Sequence, residues 1–402
     1  MPVVWTDAHR LHEPGGEIWV GVRSPGTEVA ARADAIRDAL TAAGASFVQA
    51  ASHDDSAVLA VHSPELLDFL AGAWAAWEGA GLPADPGQDR VVPYVFPVAG
   101  LVPPGDTPLD PAAVWARTGL FCFDTMTLIG PGTWEAARSA ADAALTAVDV
   151  VVGDLCQLSA NRSTPVPGGR ETGTVPTCAD SVPSSPQGSQ PGRQTGLEVG
   201  LRVAYALCRP PGHHVTRSLY GGSCYLNNAA IAAQHLRDRG AERVALIDID
   251  AHHGNGAQSI FWERDDVFTA SVHVDPATGW FPHFLGLAHE RGAGAGEGAN
   301  LNLPLPPGTG DERWLEAVRE AARVAHDRGV AALVVALGVD AAAVDPESAL
   351  QVTARGYRDA GRILGSYGLP TVVVQEGGYD LAAIGGLVLA ALEGLEEGMA
   401  RA

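Results

Sequence analysis

From residue 202 onward the chain is built of short apolar runs with almost no polar interruption, RVAYALC, RVALIDID, FTASVHV, AALVVALGVD and PTVVVQEGGY. Between them lie stretches of helical periodicity at 227–239, 311–328 and 353–366. A strand that is apolar throughout must be covered on both faces, and parallel neighbours need a crossover long enough to hold a helix. The alternation therefore predicts an α/β fold, a mainly parallel central sheet with helices on both faces. Upstream, 28–43 and 63–79 place Leu, Ile and small apolar residues at helical spacing and read as surface-packed helices, and 133–152 reads as another. Residues 83–111 are rich in Pro, Gly and Asp without periodicity, which predicts a long loop of the kind that borders a site. The Gly-rich stretch at 292–305 neither directly follows a strand nor opens a helix and carries no GK[ST], so it reads as loop and not as a phosphate cradle.

Composition narrows the partners. With 46% hydrophobic and 18% charged residues over 402 positions, the chain is too apolar for disorder. Its 47 acidic residues face 26 basic ones, all arginine, for a formal charge of −21, which disfavours nucleic acid and anionic membrane as partners. The acidic surface would attract a cationic substrate, or it simply keeps the protein soluble; charge alone does not choose. Five cysteines with no CxxC pair and no dense framework indicate neither a thiolate zinc site nor a disulfide scaffold. No signal-peptide pattern and no membrane-length apolar run are present, so the expected location is cytosolic. Residues 156–196 are mostly Ser, Thr, Pro, Gly and Gln and read as a disordered insertion, emerging at the sheet edge opposite the site.

Ligands of a parallel sheet sit beyond the carboxyl ends of its strands. Here RVALIDID runs into Asp248, Asp250, His252 and His253, FTASVHV into His273 and Asp275, and ALVVALGVD into Asp340. VVVQEGGY ends in Glu376 and Tyr379, and YALC leads into RPPGHH with His213 and His214. Asp250 and His252, one residue apart, can turn to one side and, with Asp340, offer three ligands to one ion, leaving the open position of a catalytic zinc. Iron(II) or cobalt would accept a similar set. A lone Asp-x-His is more often a hydrogen-bonded pair closing a strand; four further polar strand ends make the difference here.

His213 and His214 lie in a Pro/Gly turn that needs no apolar filling, and adjacent imidazoles beside a metal can take a proton from water and return it to a leaving amine. The rival assignment is surface histidines or extra ligands. Tyr379 follows two glycines, a turn that lets backbone come close to a ligand while a phenol donates to a developing oxyanion. A tyrosine merely packed at a strand end would look the same in isolation. His253, His273 and Asp275 are as readily structural as functional.

The motifs RPPGHH, GGSCYLNNAA, DIDAHHGNG, SVHVDP, LGVDAAAVDP and QEGGY, in this order between 209 and 380, resemble the zinc-dependent deacetylases of the histone deacetylase superfamily. The segments VHSPELLDFL and FCFDTMTLIGPGTW resemble it too. RPPGHH, HHGNG and NLNLPLPPGTGD look most like bacterial acetylpolyamine amidohydrolases and class II deacetylases. The resemblance implies the arginase/deacetylase fold as a single catalytic domain over 1–402, interrupted by the insertion. It implies one Zn2+ on Asp250, His252 and Asp340, His213 and His214 as the tandem histidines, and Tyr379 polarising the carbonyl. It also implies that Asp248 pairs with the first histidine and Asn255 with the second, where some branches carry aspartate. A structural K+ would lie at Asp248, Asp250 and main-chain oxygens near His252, Ser271 and Val272.

Two departures bear on substrate. Where many members place an aromatic wall after Gly222, this chain has Ser223, which predicts a wider or more polar side of the acyl tunnel. Where many protein deacetylases read DPLG it has DPES, placing Glu347 seven residues after Asp340. An anion at the mouth would favour a second ammonium on the substrate; the bland assignment is an exposed glutamate starting a helix. The expectation is a zinc-dependent deacetylase acting on N-acylated amines, foremost acetylpolyamines. The rivals are a protein or peptide acetyl-lysine deacetylase, arginase-type two-metal chemistry and a silent metal or acyl-ligand binder. A homodimer formed through loops near the mouth is part of the expectation.

Overall fold

The structure is a computed structural model, and it describes residues 1–82, 89–98, 100–103, 105–153 and 202–402. The predicted insertion at 156–196, with its predicted position relative to the sheet, lies outside the described residues, as do 83–88 of the predicted loop.

The strands are β1 (Pro2–Trp5), β2 (Glu17–Trp19), β3 (Val22–Ser24), β4 (Ser46–Gln49), β5 (Val203–Ala206), β6 (Val244–Asp248), β7 (Val267–Val274), β8 (Asn300–Leu305), β9 (Ala332–Leu337) and β10 (Thr371–Gln375). Apart from a small antiparallel β2–β3 hairpin, they form one sheet in the order β4-β1-β5-β10-β9-β6-β7-β8. Every pairing in it is parallel. Helices are α1 (Ala31–Ala42), α2 (Ser56–Val61), α3 (Pro64–Gly79), α4 (Val114–Phe121), α5 (Thr133–Val152), α6 (Asn228–Asp238), α7 (Asn255–Phe261), α8 (Asp311–Asp327), α9 (Ala354–Gly365) and α10 (Ile384–Met399). None of them is long and apolar enough to cross a membrane.

Each central strand feeds two cores. In β6, Val244 and Leu246 belong to the core that also holds residues of α3, α5 and α6, whereas Ala245 and Ile247 belong to the one that holds residues of α8, α9 and α10. The same alternation divides Val334 from Val335 in β9 and Val372 from Val373 in β10. Side chains on a strand point alternately to opposite faces, so an unbroken apolar run is what two covered faces require. The predicted sheet and its two helical layers follow from this pattern.

Two expectations change. The stretch 292–305 is not all loop, because Asn300–Leu305 forms the edge strand β8, paired with β7 from Thr269↔Asn300 to Val274↔Leu305. Its inward residues Asn300 and Asn302 are polar, buried and hydrogen-bonded to Gln258, so no apolar run announced it. Pro304 is tolerated there because an edge strand has one unpaired side. The helix within 28–43 is also not simply a surface element, since its Arg32 is buried and turned toward the carboxyl ends of the sheet.

Candidate active site

The four adjacent strands β5, β10, β9 and β6 run in one direction, so their carboxyl ends open on one edge. Asp250 and His252 follow β6, and Asp340 follows β9. His252 Nδ1 lies 2.9 Å from Asp340 Oδ2 and 3.2 Å from Asp250 Oδ1. One donor atom from each of the three lies within 4.8 Å of the others. The carboxylates are fixed by backbone: Asp250 accepts from the N–H of His252 at 2.9 Å and of Gly377 at 2.8 Å, and Asp340 from that of Ala251 at 2.8 Å.

The electrostatics ask for a cation. Asp250 and Asp340 are fully buried. Burial and the neighbouring Asp250 push Asp340 well above the carboxylate range. Against its own burial, His252 is driven upward by the same two carboxylates. Two carboxylate oxygens converging on one imidazole nitrogen compete for a single proton, whereas a divalent ion in their midst satisfies all three donors. The oxygen/nitrogen/oxygen set fits zinc.

His213 and His214, after β5, are 3% exposed, and their ring centroids are 4.0 Å apart. His213 Nδ1 faces Asp248 Oδ2 at 2.8 Å, and Nε2 stands 3.8 Å from Asp250 Oδ1. Burial pulls its pKa down, but Asp250 and Asp248 outweigh that and raise it to about 10. His214 Nδ1 faces Asn255 Oδ1 at 2.6 Å, and Asn255 Nδ2 donates to the His214 carbonyl at 3.1 Å. Burial, then the cationic neighbours His213 and His252, hold His214 well below the usual range. The turn that carries them rests on Glu376, whose Oε2 accepts from the N–H of Gly212 at 2.7 Å and of His213 at 3.1 Å. Together with Cys224, His213 and Glu376 form a second buried cluster of donor atoms, which the sequence reading did not anticipate.

Tyr379 is half-buried after β10. Desolvation, then Glu347, push its phenol well above 10, so it stays a donor. The Arg32 guanidinium lies over its ring at 4.6 Å and donates to the carbonyls of Gly378 at 2.5 Å and Glu376 at 2.7 Å. Arg32 is tied through Glu28 to Arg209, the arginine of RPPGHH. Arg32, Glu28 and Glu376 join the tyrosine turn to the histidine turn, and only Glu376 stood out in the sequence. A helical arginine has no signature that separates a solvated face from a clamp.

Glu347 is neither helical nor fully exposed. It is half-buried in a turn, its carboxylate bonded to the Thr27 hydroxyl. Glu17, from the β2–β3 hairpin, is raised to about 7 by burial and then by Glu347. Gly222 lies against the His214 ring, and the Ser223 N–H donates to Thr127 Oγ1 at 2.9 Å. The aromatic surfaces come from positions the sequence left unmarked: Trp280 stacks on His252 at 5.8 Å, and Phe281 meets His214 edge-on at 4.9 Å. Phe123 runs nearly parallel to Phe281 at 6.2 Å.

The remaining candidates sit apart. Ser271 Oγ bonds His273 Nδ1 at 2.9 Å, and the Val272 side chain is in the apolar core. His273 Nε2 faces the Gly286 carbonyl at 2.9 Å, and His253 Nε2 faces Gln258 and Asn302, each at 3.1 Å. Asp275 caps a short 3-10 helix through the Ala277 N–H.

The histone deacetylase domain model matches residues 26–395. The chain belongs to the histone deacetylase family. It is 36% identical over 396 residues to the acetylpolyamine amidohydrolase of Mycoplana ramosa, spanning 98% of this chain and 99% of that one. It is 38% identical over 397 residues to acetylpolyamine amidohydrolase 1 of Pseudomonas aeruginosa, with the same coverage. The crystal structure of the acetylpolyamine aminohydrolase from Burkholderia pseudomallei superposes with a TM-score of 0.81 at 32% identity, covering 99% of each chain. This family member is thus a deacetylase hydrolase of the arginase/deacetylase fold, and zinc use is general in its family.

Proposed function

We propose that this deacetylase is a zinc amidohydrolase that removes acetyl groups from N-acetylated polyamines. The observation that carries the chemistry is the meeting of Asp250, His252 and Asp340 with His213, His214 and Tyr379 at the ends of four adjacent strands. Zinc held by the first three supplies Lewis acidity toward an amide carbonyl and its attacking water.

The chain's own groups handle the protons. Because His214 Nδ1 donates to Asn255 Oδ1, its Nε2 is bare and takes the proton of the attacking water. His213 is kept protonated by Asp248, and its Nε2–H serves the leaving amine. The Tyr379 hydroxyl donates to the carbonyl oxygen as negative charge develops there. Phe123 and Phe281 flank the approach to His214 and suit the methylene chain that carries the acetamide.

Substrate choice rests on the mouth. Glu347 and Glu17 bring two carboxylates together beside the site, which rewards a second ammonium on the substrate and penalises a neutral tail. The names of the Mycoplana and Pseudomonas relatives support the same class. A cytosolic location and a homodimer belong to this reading; fractionation and light scattering test them. The potassium site rests on the resemblance alone, since Asp248 and Ser271 already bond His213 and His273.

The test is amine release from N-acetylputrescine, N-acetylspermidine, N-acetylcadaverine and an acetyl-lysine peptide. The expected result is preference for the acetylated polyamines, with turnover lost on chelation and restored by zinc. Preference for the peptide would overturn the substrate; full activity after chelation, or in Tyr379→Phe, would overturn the chemistry.

A further inference from the structure

The peptide joining Gly378 to Tyr379 is gripped at both ends by charged side chains. Its carbonyl accepts from Arg32 Nε at 2.5 Å, and its N–H donates to Asp345 Oδ2 at 2.6 Å. The same Asp345 oxygen accepts from the N–H of Asp380 at 3.1 Å, while Oδ1 accepts from the N–H of Glu347 at 3.0 Å. One carboxylate thus holds the backbone of the tyrosine with one oxygen and the backbone of the mouth glutamate with the other.

Asp345 is 6% exposed, and among the described residues no cationic side chain forms an ion pair with it. A buried carboxylate without a directly paired counter-ion is costly, and burial raises its pKa against the partial relief given by three backbone N–H groups and the Arg32 charge. A neutral side chain could cap either turn alone at lower cost. Only a two-oxygen acceptor serves both turns at once. The plane of the 378–379 peptide sets the direction in which the tyrosine side chain leaves the backbone, and a small tilt there is amplified along the length of the phenol.

We propose that Asp345 is a positioning residue that holds the Tyr379 phenol and the Glu347 carboxylate in register, so that recognition of a distal ammonium and polarisation of the acetyl carbonyl are set by one group. This inference rests on the roles proposed for Tyr379 and Glu347. Misplacement of a reacting group by about 1 Å costs on the order of 100-fold in rate. Asp345→Ala should therefore lose about 10- to 100-fold in kcat. It should also lose preference for N-acetylspermidine over neutral N-butylacetamide, to the level of Glu347→Gln.

The test is a pair of double-mutant cycles, which isolate action through a partner from general damage. In the Tyr379→Phe background the kcat penalty of Asp345→Ala should shrink to within about threefold, and in Glu347→Gln its selectivity penalty should vanish. Penalties that multiply in full in both backgrounds would overturn the positioning role while leaving the proposed chemistry intact. Full activity of Tyr379→Phe alone would overturn both. If the alanine variant does not fold, Asp345→Asn, which keeps the shape but only one acceptor oxygen, goes through the same cycles. Wild-type kcat and selectivity in a folded Asp345→Asn would likewise overturn the proposal.

Discussion

Gly377→Ala should weaken metal binding without replacing a proposed ligand. A Cβ at this position would lie 2.6 Å from Oδ2 of Asp250, 2.6 Å from Oδ2 of Asp340 and 2.9 Å from Asp340 Cγ. Ordinary contact between nonbonded heavy atoms is about 3.5 Å, so both carboxylates, or the turn itself, must give by the better part of an ångström. Gly377 lies outside the positive-φ region that Gly378 occupies at 127°, so the substitution tests crowding and not backbone strain. Overpacking of this kind costs about 1–3 kcal/mol. Disturbing the groups that orient metal ligands costs roughly 10- to 100-fold in affinity, or about 1.4–2.7 kcal/mol, the same range. The assay is titration of metal-free protein with zinc against a chromophoric chelator, paired with activity as a function of free zinc. The expected result is a Kd raised by roughly 10- to 100-fold, with activity recovered at correspondingly higher zinc. A folded variant with a Kd within about threefold of the parent would refute the assignment of one ion to Asp250 and Asp340 together.

Three further outcomes follow from the same geometry. Asn255→Asp places a negative charge on His214 Nδ1, so the acidic limb of kcat/KM against pH should move up by about one unit; an unmoved limb would mean that His214 is not the titrating base. His53 bonds Asp142 and Asp149 and, despite burial, has its pKa raised to about 9. Its stabilisation is complete below the unfolded value near 6.5 and is lost as pH rises through about 9, so the melting temperature should fall across that window. In His53→Gln the fall should flatten by about 1 kcal/mol after allowance for solvent screening, as read by thermal melts at several pH values. Glu28→Gln would leave Arg32 and Arg209 buried against a neutral partner and should cost about 3–5 kcal/mol in denaturant unfolding; a loss under about 1 kcal/mol would deny the network its role.

What the sequence alone discloses divides along physical lines. β6, β9 and β10 were legible because strands covered on both faces must be apolar at every position. Their polar terminators were legible because a carboxylate or imidazole directly after such a run has no packing reason to be there. The edge strands lack that constraint: β8 hides Asn300 and Asn302 in a hydrogen-bonded network, and β4 is only four residues with no fully buried position. Long-range contacts left no mark at all. Arg32 and Tyr379 are distant in sequence, and α1 looks like any amphipathic surface helix. Phe281, between Trp280 and Pro282, belongs to no periodic element, so its place against His214 follows only from where the loop is tied down.

The site is assembled against its own electrostatics, and the backbone makes that possible. Asp248, Asp250, Asp340 and Glu376 are buried at the carboxyl ends of the central strands, where His213 and His252 pair with the three aspartates. Four strands ending in parallel deliver a set of free N–H groups there, and each carboxylate takes at least one: Asp248 from Asp250, Asp250 from His252 and Gly377, Asp340 from Ala251, and Glu376 from Gly212 and His213. Those bonds stabilise charge but do not cancel it, and the remaining negative charge is what raises His213 and what the proposed divalent ion would offset. The Gly377 N–H can approach Asp250 this closely because the chain carries no side chain there, where a methyl would crowd both Asp250 and Asp340. The glycines of QEGGY therefore serve two purposes in succession: the first lets the strand end close on the Asp250 and Asp340 carboxylates, and the second, at φ 127°, turns the chain into Tyr379.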